Sequence, residues 1–366
     1  MRIEAGVLVE PGRLEVQELE LEPPRRDEVL VRLTASGICR SDLSLIDGKW
    51  PAPLPMVLGH EGAGVIEDVG EGVDRSRVGE HVVLTFTPAC GRCRFCLQGR
   101  VNLCTNAARC MDDGVMPDGG TRLSRDGRAV HHLALVSSFA THAVVPANAA
   151  IEVPASLDPT LACLLGCGVM TGVVSVTRRA NVRPGESVAV FACGGVGLAT
   201  VLGAALVSAH PIIAVDPVES KRRLALRLGA THAIDPEAED ALAAVRRIAP
   251  DGVDHAFEAL GAPAVAEQAF AATRSGGTTV LIGQPALGVT VPLPVYELTQ
   301  FEHDVLGTHI GGATPALEIP TLAALAVAGK LDLAPLVTHR FSLGQLSEAI
   351  ELTRSGQAGR VVIDLR

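Results

Sequence analysis

Two textures of apolar and polar positions divide the chain. Over residues 28–39 and again over 62–86, short Val-rich runs alternate with polar positions and are broken by Gly, Pro and Asp, which predicts an irregular β-rich unit without a long helix. After about Thr171 the texture changes. Apolar runs at 187–191, 212–216, 253–259 and 278–283 are separated by Ala- and Leu-rich stretches of helical character, which predicts βαβ units around a parallel sheet. From about Ile310 the pattern predicts helices over 314–328 and 344–354 and a closing strand over 360–365 that returns to the first unit.

Composition narrows the possibilities. With 366 residues, 48% of them hydrophobic and 20% charged, the chain can bury one large core and more readily two domains. The formal charge of −10 and the scattered Lys and Arg positions exclude the basic footprint of a nucleic-acid or anionic-membrane protein, so a small-molecule partner is expected. No apolar stretch approaches membrane-spanning length, and the N-terminal residues lack a basic-then-apolar leader, which reads as a soluble, cytoplasmic protein. Nine cysteines in such a setting point to metal or catalysis before disulfides.

Four of those cysteines fall in one short segment, at Cys90, Cys93, Cys96 and Cys104. Thiols three residues apart, with a fourth a little further on, can wrap one tetrahedral ion. Four thiolates leave no open position, so the expected role is a structural zinc. The competing reading is a set of free or redox-active surface thiols. Gly91 and Gly99 would let the backbone turn around the ion. Cys110, Cys163 and Cys193 stand apart from any ligand spacing and read as small core residues.

Three distant segments, Gly-Ile-Cys39-Arg-Ser-Asp42, Gly-His60-Glu61 and Gly-Cys167-Gly, offer two thiolates and an imidazole. Each is weak alone, since a lone Cys or His is more often a buried, satisfied residue. Together they form a donor set that leaves a fourth position open, as a catalytic zinc requires.

Between the apolar run ending at Phe191 and a helical stretch lies Ala192-Cys-Gly194-Gly195-Val196-Gly197, placed as a dinucleotide-binding turn whose amides and helix N-terminus would receive a pyrophosphate. The customary first glycine is Ala192, tolerable if its φ stays negative. The next apolar run ends in Asp216, an acid suited to both ribose hydroxyls and hostile to a 2′-phosphate, which favours NAD over NADP.

These segments, in this order and spacing, resemble the zinc-containing medium-chain alcohol dehydrogenases along nearly the whole chain. Asp118-Gly-Gly-Thr-Arg122 and His131-His132 are similar to the class holding the liver-type and glutathione-dependent formaldehyde enzymes. The resemblance implies an α/β chain with a distorted, GroES-like β-barrel catalytic domain at 1–168, a Rossmann doubly wound parallel-sheet domain at 169–309, and a return to the catalytic domain over 310–366. It implies that Cys39, His60 and Cys167 hold the catalytic zinc, with Glu61 close by and Asp42 supporting His60. It further implies Ser41 on the substrate hydroxyl, Trp50, Phe86 and Leu133 along the pocket, and Arg40, Thr171, Lys221 and Arg360 on the cofactor. It also implies homodimers or homotetramers, the dimer joined most simply through an apolar terminal strand over 289–293 that pairs across a two-fold axis.

The implied chemistry is hydride transfer between a primary or secondary alcohol and NAD, with zinc lowering the pKa of the bound hydroxyl. Where liver-type relatives carry a proton-relay histidine three residues after the serine, this chain has Ser44, and His309 near the expected nicotinamide edge is the candidate substitute. Two alternatives remain: a thiol-adduct formaldehyde dehydrogenase, for which Arg109 or Arg122 could receive a carboxylate, and a catalytically silent dinucleotide-binding protein.

Overall fold

In the computed structural model, which describes residues 1–366, the β-rich texture becomes two sheets and the alternating texture a third. A closed barrel contains Arg2–Glu10, Arg13–Leu21, Leu123–Arg125, Arg128–His132 and Met56–Val57. The second sheet is centred on Glu28–Gly37, which pairs antiparallel with Glu61–Val69, His142–Pro146 and the C-terminal strand Arg360–Asp364. The last 57 residues thus rejoin the first unit through the pairs Val362↔Gly37 and Asp364↔Ala35.

The third sheet has six parallel strands in the order His232–Ile234, Ile212–Val215, Val188–Phe191, Val253–Glu258, Thr273–Leu281, Asp304–Gly307. Strand order reverses beside Val188–Phe191, and in an open α/β sheet that switch point opens a crevice at the strand C-termini. Side chains alternate between faces as a two-residue period demands: Val188, Val190, Ile212 and Ala214 join the main core, whereas Ala189, Phe191, Ile213 and Val215 join a separate cluster on the other face. The main core runs without interruption from the barrel to the near face of this sheet.

Two helices carry that continuity. Gly168–Val174 and Gly195–Leu206 approach so closely that a Cβ on Gly172 would stand 2.6 Å from the Thr200 backbone nitrogen, and one on Gly203 would stand 2.9 Å from Val173 Cα. Both positions therefore need glycine for space.

The expected elements shift at several points. Residues 289–293 form no strand: Pro292 and Pro294 remove backbone donors, the segment is irregular, and the edge of the sheet is Asp304–Gly307. That edge strand and His232–Ile234 escaped the apolar pattern because each is short and contains polar or glycine positions. The expected helix over 314–328 is Pro315–Val327 with Pro320 inside it, and the one over 344–354 is Leu346–Ser355. Strand Thr273–Leu281 begins before the anticipated 278.

One buried polar cluster fastens the barrel to the second sheet. The Arg122 side chain, 1% exposed, makes a bidentate pair with Glu28 (Nη2–Oε1 2.6 Å, Nε–Oε2 2.9 Å) and a further bond to Asp118 at 2.7 Å. The Arg122 backbone N–H donates to His132 Nε2 at 3.0 Å, so that nitrogen carries no proton. Burial, reinforced by the Arg122 charge, pushes the His132 imidazole down to about 3. Because its folded value lies below that of the unfolded chain, the stability it contributes is present above about pH 6.5 and is lost as pH falls toward 3. On urea unfolding, stability is expected to fall by about 2 kcal/mol between pH 7 and pH 5 from this residue, and His132→Gln should flatten the pH dependence by that amount. An unchanged slope in the variant would remove His132 from the acid response.

Candidate active site

The helix Arg40–Ile46 begins at Cys39, and its N-cap is closed by Asp42, whose Oδ2 accepts the Cys39 backbone N–H at 2.9 Å. Asp42 is wholly buried, and its Oδ1 faces His60 Nδ1 at 3.2 Å and the Gly59 N–H at 3.3 Å. The carboxylate accepts the His60 Nδ1–H, which leaves Nε2 free for a metal. Cys167 arrives from the start of helix Gly168–Val174, and Glu61 from the first position of strand Glu61–Val69.

One ligand atom each from Cys39, His60, Glu61 and Cys167 lies within 4.8 Å of all the others, and all four residues are buried. A tetrahedral zinc with bonds near ~2.3 Å to sulfur sets its ligands ~3.8 Å apart, so this donor set fits the ion. The electrostatics suit it too. Contact with Cys167, helped by His60, holds the Cys39 thiol well below the usual range, while the same contact and burial push Cys167 up. Burial works against a charge on His60, but Asp42 outweighs it and draws the imidazole well above its ordinary value.

Glu61 makes a buried ion pair with Arg360, each side chain no more than 6% exposed. Burial pushes the Glu61 carboxyl up to about 7, with the Arg360 guanidinium opposing the shift. Glu61 Oε1 and Arg360 Nε are both buried without a hydrogen-bond partner. Arg360 also reaches the glycine turn: a Cβ on Gly195 would stand 2.7 Å from its Nη1. One guanidinium therefore links the metal ligands to the cofactor turn, a link between residues 299 positions apart that no local sequence signal announces.

The second donor set is Cys90, Cys93, Cys96 and Cys104, again within 4.8 Å of one another. Cys90 and Cys96 sulfurs stand 4.0 Å apart, close to the tetrahedral edge, and the N–H groups of Cys93, Cys96 and Cys90 each approach a cysteine sulfur at 3.4 Å. Gly91 and Gly99 turn the chain here with φ of 73° and 72°. Those amides stabilise thiolate: backbone donation from Cys96 lowers Cys93 to about 5. Cys110, Cys163 and Cys193 are fully buried, each at 0% exposure.

Gly194 is the N-cap of helix Gly195–Leu206, directly after strand Val188–Phe191, and Val196 and Gly197 complete its first turn. A Cβ on Gly197 would lie 2.0 Å from the Ala192 carbonyl oxygen, so this turn is tight. Ala192 itself takes φ +72°, against the expectation of a negative value, and holds a left-handed conformation costing about 1–2 kcal/mol for a residue with a Cβ. Asp216 is buried at the end of its strand and accepts N–H groups of Cys193 and Val218, both at 2.8 Å. These bonds hold the acid beside the glycine turn. Thr171 is buried in the helix facing that turn, Lys221 is half-buried in Glu219–Arg227, and the Arg40 side chain is exposed with no ion pair.

Of the substrate-side residues, Ser41 Oγ lies 3.8 Å from Cys39 Sγ, and Phe86 stands edge-on to His60 with centroids 5.4 Å apart. Leu133 is buried, and Trp50 donates its indole N–H to Pro285 O at 3.3 Å, joining the two units. Ser44 is tied to the Arg40 carbonyl at 3.3 Å. His309 stands edge-on to Phe86 at 6.0 Å, and its Nδ1 meets the Asn102 carbonyl at 2.9 Å. Since a carbonyl only accepts, Nδ1 bears the proton and Nε2 keeps its lone pair in the neutral ring. Asn102 was invisible in the sequence because its partner is 207 positions away. The two arginines considered for a carboxylate do not form such a pocket: Arg122 is consumed by Glu28 and Asp118, and Arg109 by Pro117 O and Asp113.

Residues 25–155 match the alcohol dehydrogenase GroES-like domain, and residues 195–328 match the zinc-binding dehydrogenase domain. The chain is 42% identical to an NDMA-dependent alcohol dehydrogenase of Amycolatopsis methanolica, over 99% of each chain. It is 38% identical to an S-(hydroxymethyl)glutathione dehydrogenase of Synechocystis, over 99% of this chain and all of the relative. A benzyl alcohol dehydrogenase of Acinetobacter calcoaceticus superposes over the full length of both chains with a TM-score of 0.95 at 35% identity. The barrel, the six-stranded parallel sheet, the two zinc donor sets and these relatives together make this chain a member of the zinc-containing medium-chain alcohol dehydrogenase family.

Proposed function

We propose that this protein interconverts a small primary or secondary alcohol and its aldehyde or ketone with NAD, in the cleft between the barrel unit (1–168 and 310–366) and the cofactor unit (169–309). The observation that carries this reading is the buried donor set of Cys39, His60, Glu61 and Cys167, linked through Arg360 to the glycine turn. When bound, zinc supplies Lewis acidity toward the substrate oxygen, and NAD supplies the hydride acceptor. The chain's residues do the rest. Cys39, His60 and Cys167 hold the ion, Asp42 fixes the His60 tautomer, and Ser41 hydrogen-bonds the substrate hydroxyl. The amides of Gly194 to Gly197 take the pyrophosphate, and Asp216, Lys221, Arg40, Thr171 and Arg360 position the rest of the cofactor. With Ser44 occupied by a backbone carbonyl, His309, proton-bearing at Nδ1 and open at Nε2, is the base we assign to the outward proton path.

The thiol-adduct formaldehyde reading draws support from the 38% identical relatives, but Arg109 and Arg122 offer it no carboxylate site. The silent reading is disfavoured by the intact set of Cys39, His60 and Cys167, three ligands that leave a fourth position open. Exposed Leu287, Val289, Val295 and Tyr296, in the segment leading to the edge strand, support a homodimer through this region, and the gathering of six of the nine cysteines into the two donor sets supports a reducing, cytoplasmic setting.

Wild-type protein is expected to contain two zinc ions per chain and to form NADH with alcohols. Cys39→Ala and His60→Ala should leave one zinc and lower kcat by on the order of 10³-fold, as loss of several kcal/mol of charge stabilisation implies. Full turnover with one zinc would overturn the assignment. Asp42→Asn should weaken the catalytic zinc or the activity by about 10–100-fold while the four-cysteine zinc stays bound. His309→Ala should alter the pH profile of kcat more than KM; an unaltered profile takes it out of the proton path.

A further inference from the structure

A polar cavity of about 250 Å³ lies in the seam between the four-cysteine lobe and the cofactor unit. Arg100 and Asn102 line it from the lobe, Arg178 and Arg179 from the turn after helix Gly168–Val174, and Thr308 and His309 from the chain leaving the edge strand. In a chain of net charge −10, three guanidinium groups converge here. Only one of the three is paired with a carboxylate. Arg178 is engaged by Glu318 at 2.6 Å and by Thr314 at 3.2 Å. Arg179 spends only Nε, on the Gly307 carbonyl at 3.1 Å, which fixes the guanidinium while both Nη groups stay without a protein acceptor. The Arg100 guanidinium has no hydrogen bond and no carboxylate, and rests 6.0 Å from the Phe95 ring centroid. The Thr308 hydroxyl is buried without a partner.

A larger surface cavity shows the contrast. There Arg2 and Arg125 sit among Glu15, Glu18, Glu20 and Asp126, and Arg2 is paired with Glu18 at 2.9 Å. The charges of that cavity are balanced within it, whereas those of the seam are not.

We infer that the seam between the four-cysteine lobe and the cofactor unit, lined by Arg100, Arg179 and Thr308, is a binding site for a small oxyanion, a carboxylate or a phosphate. Planar guanidinium donors suit such oxygens, and charge-assisted bonds are the strong class of hydrogen bond. The anion is either free or the far end of a substrate. His309 lines the seam and faces Phe86, which in turn faces the metal ligand His60, so the seam stands two ring contacts from the metal centre. The substrate-borne case rests on the dehydrogenase reading, and binding of a free anion does not.

The test uses zinc-loaded protein saturated with NAD, so that the pyrophosphate turn is occupied. Inorganic phosphate and glutarate are titrated by calorimetry at constant ionic strength against chloride. Saturable binding is expected, weakened at least about tenfold in Arg100→Ala/Arg179→Ala. The exposed single variant Arg100→Glu serves the same comparison if the double variant is unstable. No saturable binding of either anion beyond chloride, or equal binding by the variants, overturns the site. Steady-state kinetics then separate the two sources. A preference for 6-hydroxyhexanoate over hexan-1-ol in kcat/KM that collapses about tenfold in the variant marks a substrate carboxylate. An unchanged preference alongside lost phosphate binding marks a free anion.

Discussion

Asp42 is the residue on which the active site depends. Its two oxygens hold three groups from two segments: the Cys39 N–H at the head of a helix, the Gly59 N–H, and the ring of His60. Two members of the buried donor set are thereby brought to one point before any metal is considered. A buried carboxylate is costly unless its oxygens are hydrogen-bonded, and here they are, by two backbone amides and an imidazole. The same bonds that make the burial tolerable orient His60 with Nε2 outward, so stability and chemistry rest on one arrangement.

Arg360 plays the complementary part at the boundary between the two units. It belongs to the C-terminal strand that closes the second sheet on Glu28–Gly37, and its guanidinium sits between Glu61 and the head of helix Gly195–Leu206. The chain's return to its first unit thus delivers a cation to the glycine turn and to the buried donor set at once. Close packing reinforces the junction, with Gly172 and Gly203 letting two helices approach at backbone distance and Gly195 leaving room for the Arg360 side chain. The left-handed Ala192 and the tight Ala192–Gly197 approach show backbone strain kept at the cofactor site, where the surrounding core over-determines the turn.

Away from the centre, buried charge is managed by saturation. Arg122 is nearly inaccessible yet makes bonds to Glu28, Asp118 and the Thr121 carbonyl, so its fork serves the barrel and cannot serve a ligand. The seam beside the four-cysteine lobe is the opposite case, with guanidinium groups oriented but unspent. That difference between satisfied and unsatisfied arginine separates scaffold from candidate site in this molecule.

The sequence by itself determined the parts whose signal is local. Cysteines at 90, 93, 96 and 104 encode their own loop, the Gly194–Gly197 turn between an apolar run and a helix encodes its own geometry, and period-two and helical patterns encode the two textures. The candidate ligands Cys39, His60 and Cys167 were nominated by the family motifs around them, although nothing in their spacing brings them together. Local signal failed where prolines broke an apolar run at 289–293, where short polar strands hid at His232–Ile234 and Asp304–Gly307, and at Ala192, whose φ is set by what packs on the turn. Tertiary structure alone decided the Glu61–Arg360 pair, the Asn102–His309 bond, the capture of Arg122 by Glu28 and the unspent guanidinium groups of the seam. Each joins residues far apart in the chain, and a long-range bond leaves no periodicity or spacing, because the fold that closes the distance is the sum of all the local choices.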